Sequence, residues 1–186
     1  EIWQAMERLV SQGKITYVGS SNFPGWAIAR ANEKAIVKQQ MGLISEQSLY
    51  NLIERRAELE VIPACREYGL GLIPWSPLAG GLLSGPSQGS DGRRQSEGVK
   101  NAANERVFQL QQYYQFCAQL NESPSAIALA WLLHQPQVSA SIIGPASIEQ
   151  LVSVLHVPDI RLSQESLDKL DKIFPPTGEA PEAYAW

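Results

Sequence analysis

Four short apolar segments of this chain each run into a polar or glycine-rich cluster: Tyr17-Val18-Gly19-Ser20-Ser21-Asn22-Phe23, Leu43-Ile44-Ser45-Glu46-Gln47, Gly71-Leu72-Ile73-Pro74-Trp75-Ser76-Pro77 and Ser141-Ile142-Ile143-Gly144-Pro145-Ala146-Ser147. Ser21, Asn22 and Gln47 carry hydroxyl and amide groups that both donate and accept, which suits a carboxamide with one C=O and one NH2, such as a nicotinamide head. Ser-Asn after a strand is also ordinary turn chemistry, and both readings stand. The amide of Gln47, closing an apolar strand, must find partners where it is buried. Trp75 has a flat face for stacking on an aromatic ring or for filling a core. Ser76, Pro77, Leu78, Ala79, Gly80, Gly81, Leu82, Leu83, Ser84 and Gly85 form a small, glycine-punctuated run whose backbone N–H groups could approach a pyrophosphate. Ser147, with Gln150 three residues later, has the form of a capping box, and the helix it opens either binds an anion at its first turn or is simply capped.

The elements that must hold these clusters alternate. Ile2, Met6, Leu9 and Val10 mark one face of an opening helix, with no Met before it and Gly13 placed to end it. A strand is expected over 15–18, a helix over 26–36 entered through Pro24-Gly25, a second strand over 42–45, and a helical stretch over 56–68 that Pro63 kinks or restarts. A third strand over 70–75 precedes a loop over 80–101, rich in Gly and Ser, with Arg93-Arg94 near its middle. Val107, Leu110, Tyr114 and Cys117 recur at helical spacing, and Ser123-Pro124 opens a helix to 133. A fourth strand over 138–143, the helix begun at Ser147 and one begun at Ser163 complete the order, with Pro175-Pro176 as the stop and an aromatic tail of Tyr184 and Trp186. Strand–helix alternation implies a parallel sheet with helical crossovers, over one domain spanning 1–186.

The balance of 15 Lys and Arg against 19 Asp and Glu leaves a net charge of −4 with no basic stripe, which argues against nucleic acid. The two cysteines, Cys65 and Cys117, have no metal or redox spacing and fit a reducing compartment. With no apolar run near the ~20 residues of a membrane span and no signal-peptide pattern, a cytoplasmic location and no membrane partner are expected. At 186 residues the chain is one domain in size, short of the ~250 residues typical of a closed eightfold barrel.

Chemistry gathered at strand C-termini with helices between is how a β/α barrel builds its site. Residues 13–23 resemble the "GKIRYVGVSNF" segment of the aldo-keto reductases, and Gln47-Ser48-Leu49-Tyr50-Asn51-Leu52 resembles their "Q..YNL". Residues 75–85 are similar to "WSPLAGGLLTG", and residues 143–151 to "IPGASSxEQL". The motifs follow the family's order across nearly the whole chain, and the forms at Tyr50-Asn51-Leu52 and Trp75-Ser76-Pro77-Leu78 resemble the bacterial branch similar to potassium-channel beta subunits. The resemblance implies an α/β fold that is the C-terminal half of a (β/α)8 TIM barrel, with four parallel strands and flanking helices.

The same resemblance implies the cofactor and the site. Ser21, Asn22 and Gln47 match positions that hold the nicotinamide carboxamide of NADP(H), Trp75 the ring that stacks on it, and 76–85 the loop over the pyrophosphate, while Gly144, Ser147 and Gln150 fall where the adenosine phosphate is met. The family reduces aldehydes or ketones with NADPH, using a tyrosine as general acid beside a lysine, an aspartate and a histidine. Those four lie on the first four strands of the barrel, and Tyr17, Tyr50, Lys14, His134 and His156 match none of them. Pro86, Ala146, Ser153 and Val154 depart from the family's pattern, which implies a weaker hold on NADP(H) and less preference for its 2′-phosphate. The implied partners are a small carbonyl substrate in the complete enzyme and the missing N-terminal half-barrel, or a second copy. A non-catalytic nucleotide-binding regulatory module and a structural fragment of a split reductase are the alternatives. Four parallel strands leave two open edges, and Val18, Ile44, Ile73 and Ile142 lack an opposite wall, so the lone chain is expected to associate or to bind a hydrophobic dye. Sedimentation at low micromolar concentration checks this; a compact, dye-free monomer would contradict it.

Overall fold

The computed structural model of the chain describes residues 1–86 and 97–184. Helix α1 (Ile2–Ser11) leads into strand β1 (Val18–Ser21), helix α2 (Gly25–Val37) into β2 (Leu43–Gln47), and α3 (Val61–Glu67) into β3 (Gly71–Leu72). The three strands form a parallel sheet in the order β1-β2-β3. Five helices follow: α4 (Glu97–Glu105), α5 (Val107–Gln119), α6 (Pro124–Leu133), the short α7 (Ile148–Val152) and α8 (Gln164–Ile173). None is long and apolar enough to cross a membrane among the described residues.

Four of the helices stop where the sequence supplies a left-handed residue. After α1, Gly13 takes φ +67°, and the N–H groups of Gly13 and Lys14 donate to Val10 O and Leu9 O. Gln39 after α2, Gly69 after α3 and Asn121 after α5 take φ +55°, +68° and +53° and close the same paired bonds, so carbonyls that the helix end orphans are satisfied as the chain turns away. The start of β2 is fixed by Asn32 of α2, whose Oδ1 accepts from Leu43 N at 2.9 Å. Gly42 is required there, since a Cβ would lie 2.4 Å from that same Oδ1.

Five expectations need correction, and the first is the third strand, expected over 70–75 and formed only over Gly71–Leu72. β1 begins at Val18, later than the apolar run that starts at Ile15. The stretch 56–68 divides into a 3-10 turn, Arg56–Glu58, and α3; Pro63 sits in the first turn of α3, where its missing N–H leaves no helix bond unmade. The loop expected over 80–101 holds a compact 3-10 segment, Ala79–Ser84, and the first turn of α4, while Arg93 and Arg94 lie outside the described residues. The sheet has three strands and not four: residues 138–143 pair with β3 through one parallel bridge, Leu72 to Val138. Leu72 exchanges bonds with Gln137 O and Ser139 N, but Pro74 has no N–H to continue the ladder, and Ile142 N reaches Pro74 O only after a break.

The core lies between the sheet and α6, whose residues from Ala126 to Leu132 are all buried. A helix apolar on every side belongs in an interior. Its N-terminus is capped as expected, with Ser123 Oγ accepting from Ala126 N and Pro124 in the first turn. Trp131 packs on Tyr50 with ring centroids 5.3 Å apart, and the guanidinium of Arg55 lies 5.0 Å from the Trp131 ring centre. Arg55 Nε donates to Glu58 Oε1 at 2.6 Å, and its Nη1 reaches Asp171 Oδ1 at 2.6 Å and Phe174 O at 2.9 Å. Tyr50 and Thr177 N donate to the same Glu58 carboxylate. One buried charge pair thus ties residues 50–58 to α8 and the chain beyond it.

By contrast α1, although amphipathic, buries no residue. A cleft of about 880 Å³ runs between it and α2, lined by Trp3, Met6, Val10, Val18, Val37 and Met41 among others. Ile44 and Ile142 are 37% and 39% exposed.

Burial pushes the thiols of Cys65 and Cys117 up to about 12, Cys65 with help from the nearby Glu46 charge, and burial beside Glu58 pushes the Tyr50 phenol well above its ordinary range. All three groups lose protons more readily in the unfolded chain, so unfolding is promoted as pH rises. The urea midpoint is expected to fall progressively from pH 9 towards 12, the window between the ordinary and the buried thiol values. A flat midpoint across that window would contradict it.

Candidate functional site

Parallel pairing places Ser20 beside Glu46 and Ser21 beside Gln47. The ladder runs one step past the strands, with Asn22 N donating to Gln47 O at 2.8 Å and, on the far side of β2, Trp75 N to Ser48 O at 3.0 Å. Three of the clusters therefore end on one rim. Their side chains form a hydrogen-bonded row: Trp75 Nε1 donates to Asn22 Oδ1 at 2.9 Å, Asn22 Nδ2 to Ser21 Oγ at 3.2 Å, and Ser21 Oγ to Gln47 Oε1 at 3.5 Å, the outer limit for such a bond. Asn22 sits at φ +57°, a left-handed conformation that asparagine tolerates better than most side chains. Ser21 and Asn22 are exposed, Gln47 and Trp75 half-buried. Among the described residues Gln47 Nε2 donates to nothing, so the row ends in an open amide donor.

Two residues beneath the rim hold it, and neither was singled out from the sequence. Glu46 is fully buried and accepts from Ser20 Oγ, Phe23 N and Ser48 Oγ. Asn51, 1% exposed, caps the turn after β2 by accepting from Ile53 N and Glu54 N at 2.9 and 2.8 Å, and donates to Ser76 O at 3.0 Å. Glu46 stands between Ser45 and Gln47, so in sequence it reads as one more polar residue at a strand end. Asn51 was hidden because an asparagine after a strand reads as any turn residue.

The run after Trp75 is a tight turn. Ser76, Ala79, Gly80, Gly81 and Gly85 all take positive φ. Pro77, Leu83 and Gly85 are buried, while Leu78 packs at the core's edge. At Gly80 a Cβ would crowd Val99 of α4 at 3.3 Å, and Tyr114 of α5 donates to Leu82 O at 2.6 Å. The turn is thus held from α4, α5 and Asn51 at once.

Residues 144–150 form a separate piece of the rim, reached through Ile142 N to Pro74 O. Ser147 caps α7 as expected, its Oγ accepting from Gln150 N at 3.3 Å. Gln150 Oε1 returns to Ala146 N at 2.8 Å, one residue before the cap. Gly144, Ser147 and Gln150 are exposed, and no hydrogen bond among the described residues joins them to the row around Asn22. A helix of five residues adds little macrodipole, so anion affinity here would rest on its first N–H groups.

The other titratable candidates are engaged elsewhere. His134 caps α6, its Nδ1 at 2.8 Å from Ala130 O and its Nε2 accepting from Leu162 N at 3.1 Å, which fixes the neutral tautomer with the proton on Nδ1. His156 pairs with Glu122 at 3.0 Å, and Tyr50 is buried on Glu58.

A model of the aldo/keto reductase family matches residues 1–174. The chain is 45% identical over 187 aligned residues to an uncharacterized oxidoreductase, YrpG, of Bacillus subtilis, covering 100% of this chain and 57% of the relative. It is 30% identical to a putative voltage-gated potassium channel subunit beta of Schizosaccharomyces pombe, over 93% of this chain and 54% of the other. A putative aryl-alcohol dehydrogenase of the same yeast, C977.14c, is 29% identical over 95% and 51%. The chain thus spans little more than half the length of these curated relatives.

Replacing Asn51 with Ala strands two backbone donors, Ile53 N and Glu54 N, and leaves the Ser76 carbonyl with Ala79 N as its remaining donor. Asn51→Ala is expected to cost about 1–3 kcal/mol or more in urea unfolding, with faster exchange of the amides at 53, 54 and 79–83. Unchanged stability would remove Asn51 from the support of the rim.

Proposed function

The chain belongs to the aldo/keto reductase family, and on that premise we propose that it is the NADP(H)-binding, C-terminal half of a (β/α)8 barrel that reduces aldehydes or ketones to alcohols. The observation that carries this reading is the row Trp75, Asn22, Ser21 and Gln47 at the C-terminal ends of adjacent parallel strands. Its open Gln47 amide, beside groups that both donate and accept, fits the two-sided demand of a carboxamide. Gln47 Nε2 would donate to the carboxamide oxygen, while Ser21 and Asn22 meet its NH2. Trp75, held by its edge through Nε1, keeps a ring face for the nicotinamide. Ser76, Pro77, Leu78, Ala79, Gly81, Leu83 and Gly85 would line the pyrophosphate, and Gly144, Ser147 and Gln150 the adenosine phosphate. NADPH, when bound, supplies the hydride that goes to the carbonyl carbon.

The proton donor and its neighbours would come from the N-terminal half, as the family resemblance implies. α1 and the cleft beside it are the surface this half would offer to that partner. Relatives named as potassium channel beta subunits support a second reading, in which nucleotide is bound and sensed without turnover. Ser153 Oγ donates to Gln150 O at 2.9 Å and Ala146 N to Gln150 Oε1 at 2.8 Å, so both of these positions, which depart from the family's pattern, are engaged with Gln150.

The chain alone is expected to show no NADPH-dependent reduction of simple aldehydes, since general acid catalysis usually supplies ~10²–10⁴-fold. Mixing it with the N-terminal half of the Bacillus relative should restore turnover, and NADPH should quench tryptophan fluorescence less in Trp75→Ala than in the unsubstituted chain. Turnover by the chain alone would overturn the half-barrel reading. An inert complex that still binds NADPH would favour the sensing role, and one that binds nothing a structural fragment.

A further inference from the structure

The least expected group in the molecule is the side chain of Glu46, fully buried and, among the described residues, in no ion pair. An isolated carboxylate out of water is costly unless strong donors replace its hydration. Glu46 has three. Its Oε1 accepts from Phe23 N at 3.0 Å and from Ser48 Oγ at 2.8 Å, and its Oε2 from Ser20 Oγ. Their positions in the chain are specific. Ser20 precedes and Phe23 follows the Ser21-Asn22 pair, and Ser48 follows Gln47. One carboxylate therefore clamps the ends of both loops that carry the exposed row, and it anchors the N–H just after Asn22, which sits at φ +57°.

We propose that Glu46 is a positioning residue for recognition of the nicotinamide end of the cofactor: it touches no ligand but fixes the spacing between Asn22 and Gln47. The inference rests on the cofactor reading above. A carboxamide needs donor and acceptor a fixed distance apart; the backbone bond from Asn22 N to Gln47 O joins the main chains here, but among the described residues the only side-chain bond across the row at this point is the long 3.5 Å contact of Ser21 with Gln47. Backbone pairing sets the height of the two strands, and the charge-assisted bonds to Glu46 set the direction in which the loops leave them. Glutamine can replace it almost in kind. An Oε1 in the same place still accepts from Phe23 N and Ser48 Oγ, and Nε2 can donate to the rotatable hydroxyl of Ser20.

The test separates the two ends of the cofactor. NADPH carries the nicotinamide, whereas adenosine 2′,5′-bisphosphate carries only the adenosine end, so their dissociation constants are measured on the full chain and on Glu46→Gln, Glu46→Ala and Ser48→Ala. Glu46→Ala is expected to weaken NADPH by about tenfold or more, the equivalent of one lost charge-assisted bond, and to leave the bisphosphate unchanged. Glu46→Gln should stay within about threefold for both ligands, and Ser48→Ala should show a smaller loss confined to NADPH. Should Glu46→Ala fail to fold, Ser48→Ala still reads the same selectivity. Equal losses for both ligands, no loss for NADPH, or a Gln variant as impaired as Ala would overturn the positioning role while leaving the cofactor reading intact. If the unsubstituted chain binds neither ligand, the cofactor reading itself fails and this inference falls with it.

Discussion

The parallel ladder between β1 and β2 is the constraint on which the rest of the rim depends. Because Ser21 stands beside Gln47 and both strands run the same way, two polar clusters that are 26 positions apart in sequence leave the sheet at one height. An antiparallel pairing would have sent them to opposite ends. The parallel arrangement in turn requires a crossover, which α2 supplies, and a short one at that, because Asn32 of α2 and the left-handed Gly42 bring the chain directly into β2. A single step of register slip would turn Glu46 and Gln47 to opposite faces and dissolve both the buried clamp and the exposed row.

Below that ladder the polar groups are arranged by depth. Glu46 and Asn51 are buried and spend their hydrogen-bonding capacity on loop backbone and short hydroxyls. Ser21 and Asn22 are exposed, and the row they share with Gln47 ends in an open donor. Rigid, satisfied groups beneath and available groups above is the arrangement a recognition surface needs, since the exposed side chains are then held without using up what they offer a ligand. The left-handed residues Asn22, Ser76 and Ala79 cluster on the same rim, where the surrounding bonds hold conformations that side chains otherwise avoid.

The attachment of the C-terminal helix has a different logic. Arg55, Glu58, Tyr50 and Asp171 bind the turn after β2 to α8, with the guanidinium lying against Trp131 of the central helix. Such a buried network is fragile to the loss of any one member but fixes how the C-terminal helix docks. Nothing comparable holds α1, whose apolar face buries no residue and borders an open cleft. One flank of the sheet is thus sealed by charge and aromatic packing, whereas on the other α1 borders an open cleft and is tied to the end of α2 by the Lys38–Glu7 ion pair at 2.8 Å.

Local chemistry alone determined much of this. The helix stops at Gly13 and Gly69, the caps at Ser123, Ser147 and Ser163, and the helical faces of α5 and α8 were legible because each depends on residues a few positions apart. The family motifs also gave Ser21, Asn22, Gln47 and Trp75 as a set. What the tertiary structure decided was whatever depends on a distant partner. The fourth segment falls short of a strand because Pro74, two residues past the end of β3, has no N–H to offer it. Residues 76–84 fold into a tight turn because Asn51 bonds the Ser76 carbonyl while Val99 packs at Gly80 and Tyr114 donates to Leu82 O. Glu46 reads in sequence as one more polar residue at a strand end, and only the approach of Ser20, Phe23 and Ser48 makes it the buried acceptor that joins two loops. Its role is set by donors that arrive through pairing, and pairing between remote segments is not written in any one of them.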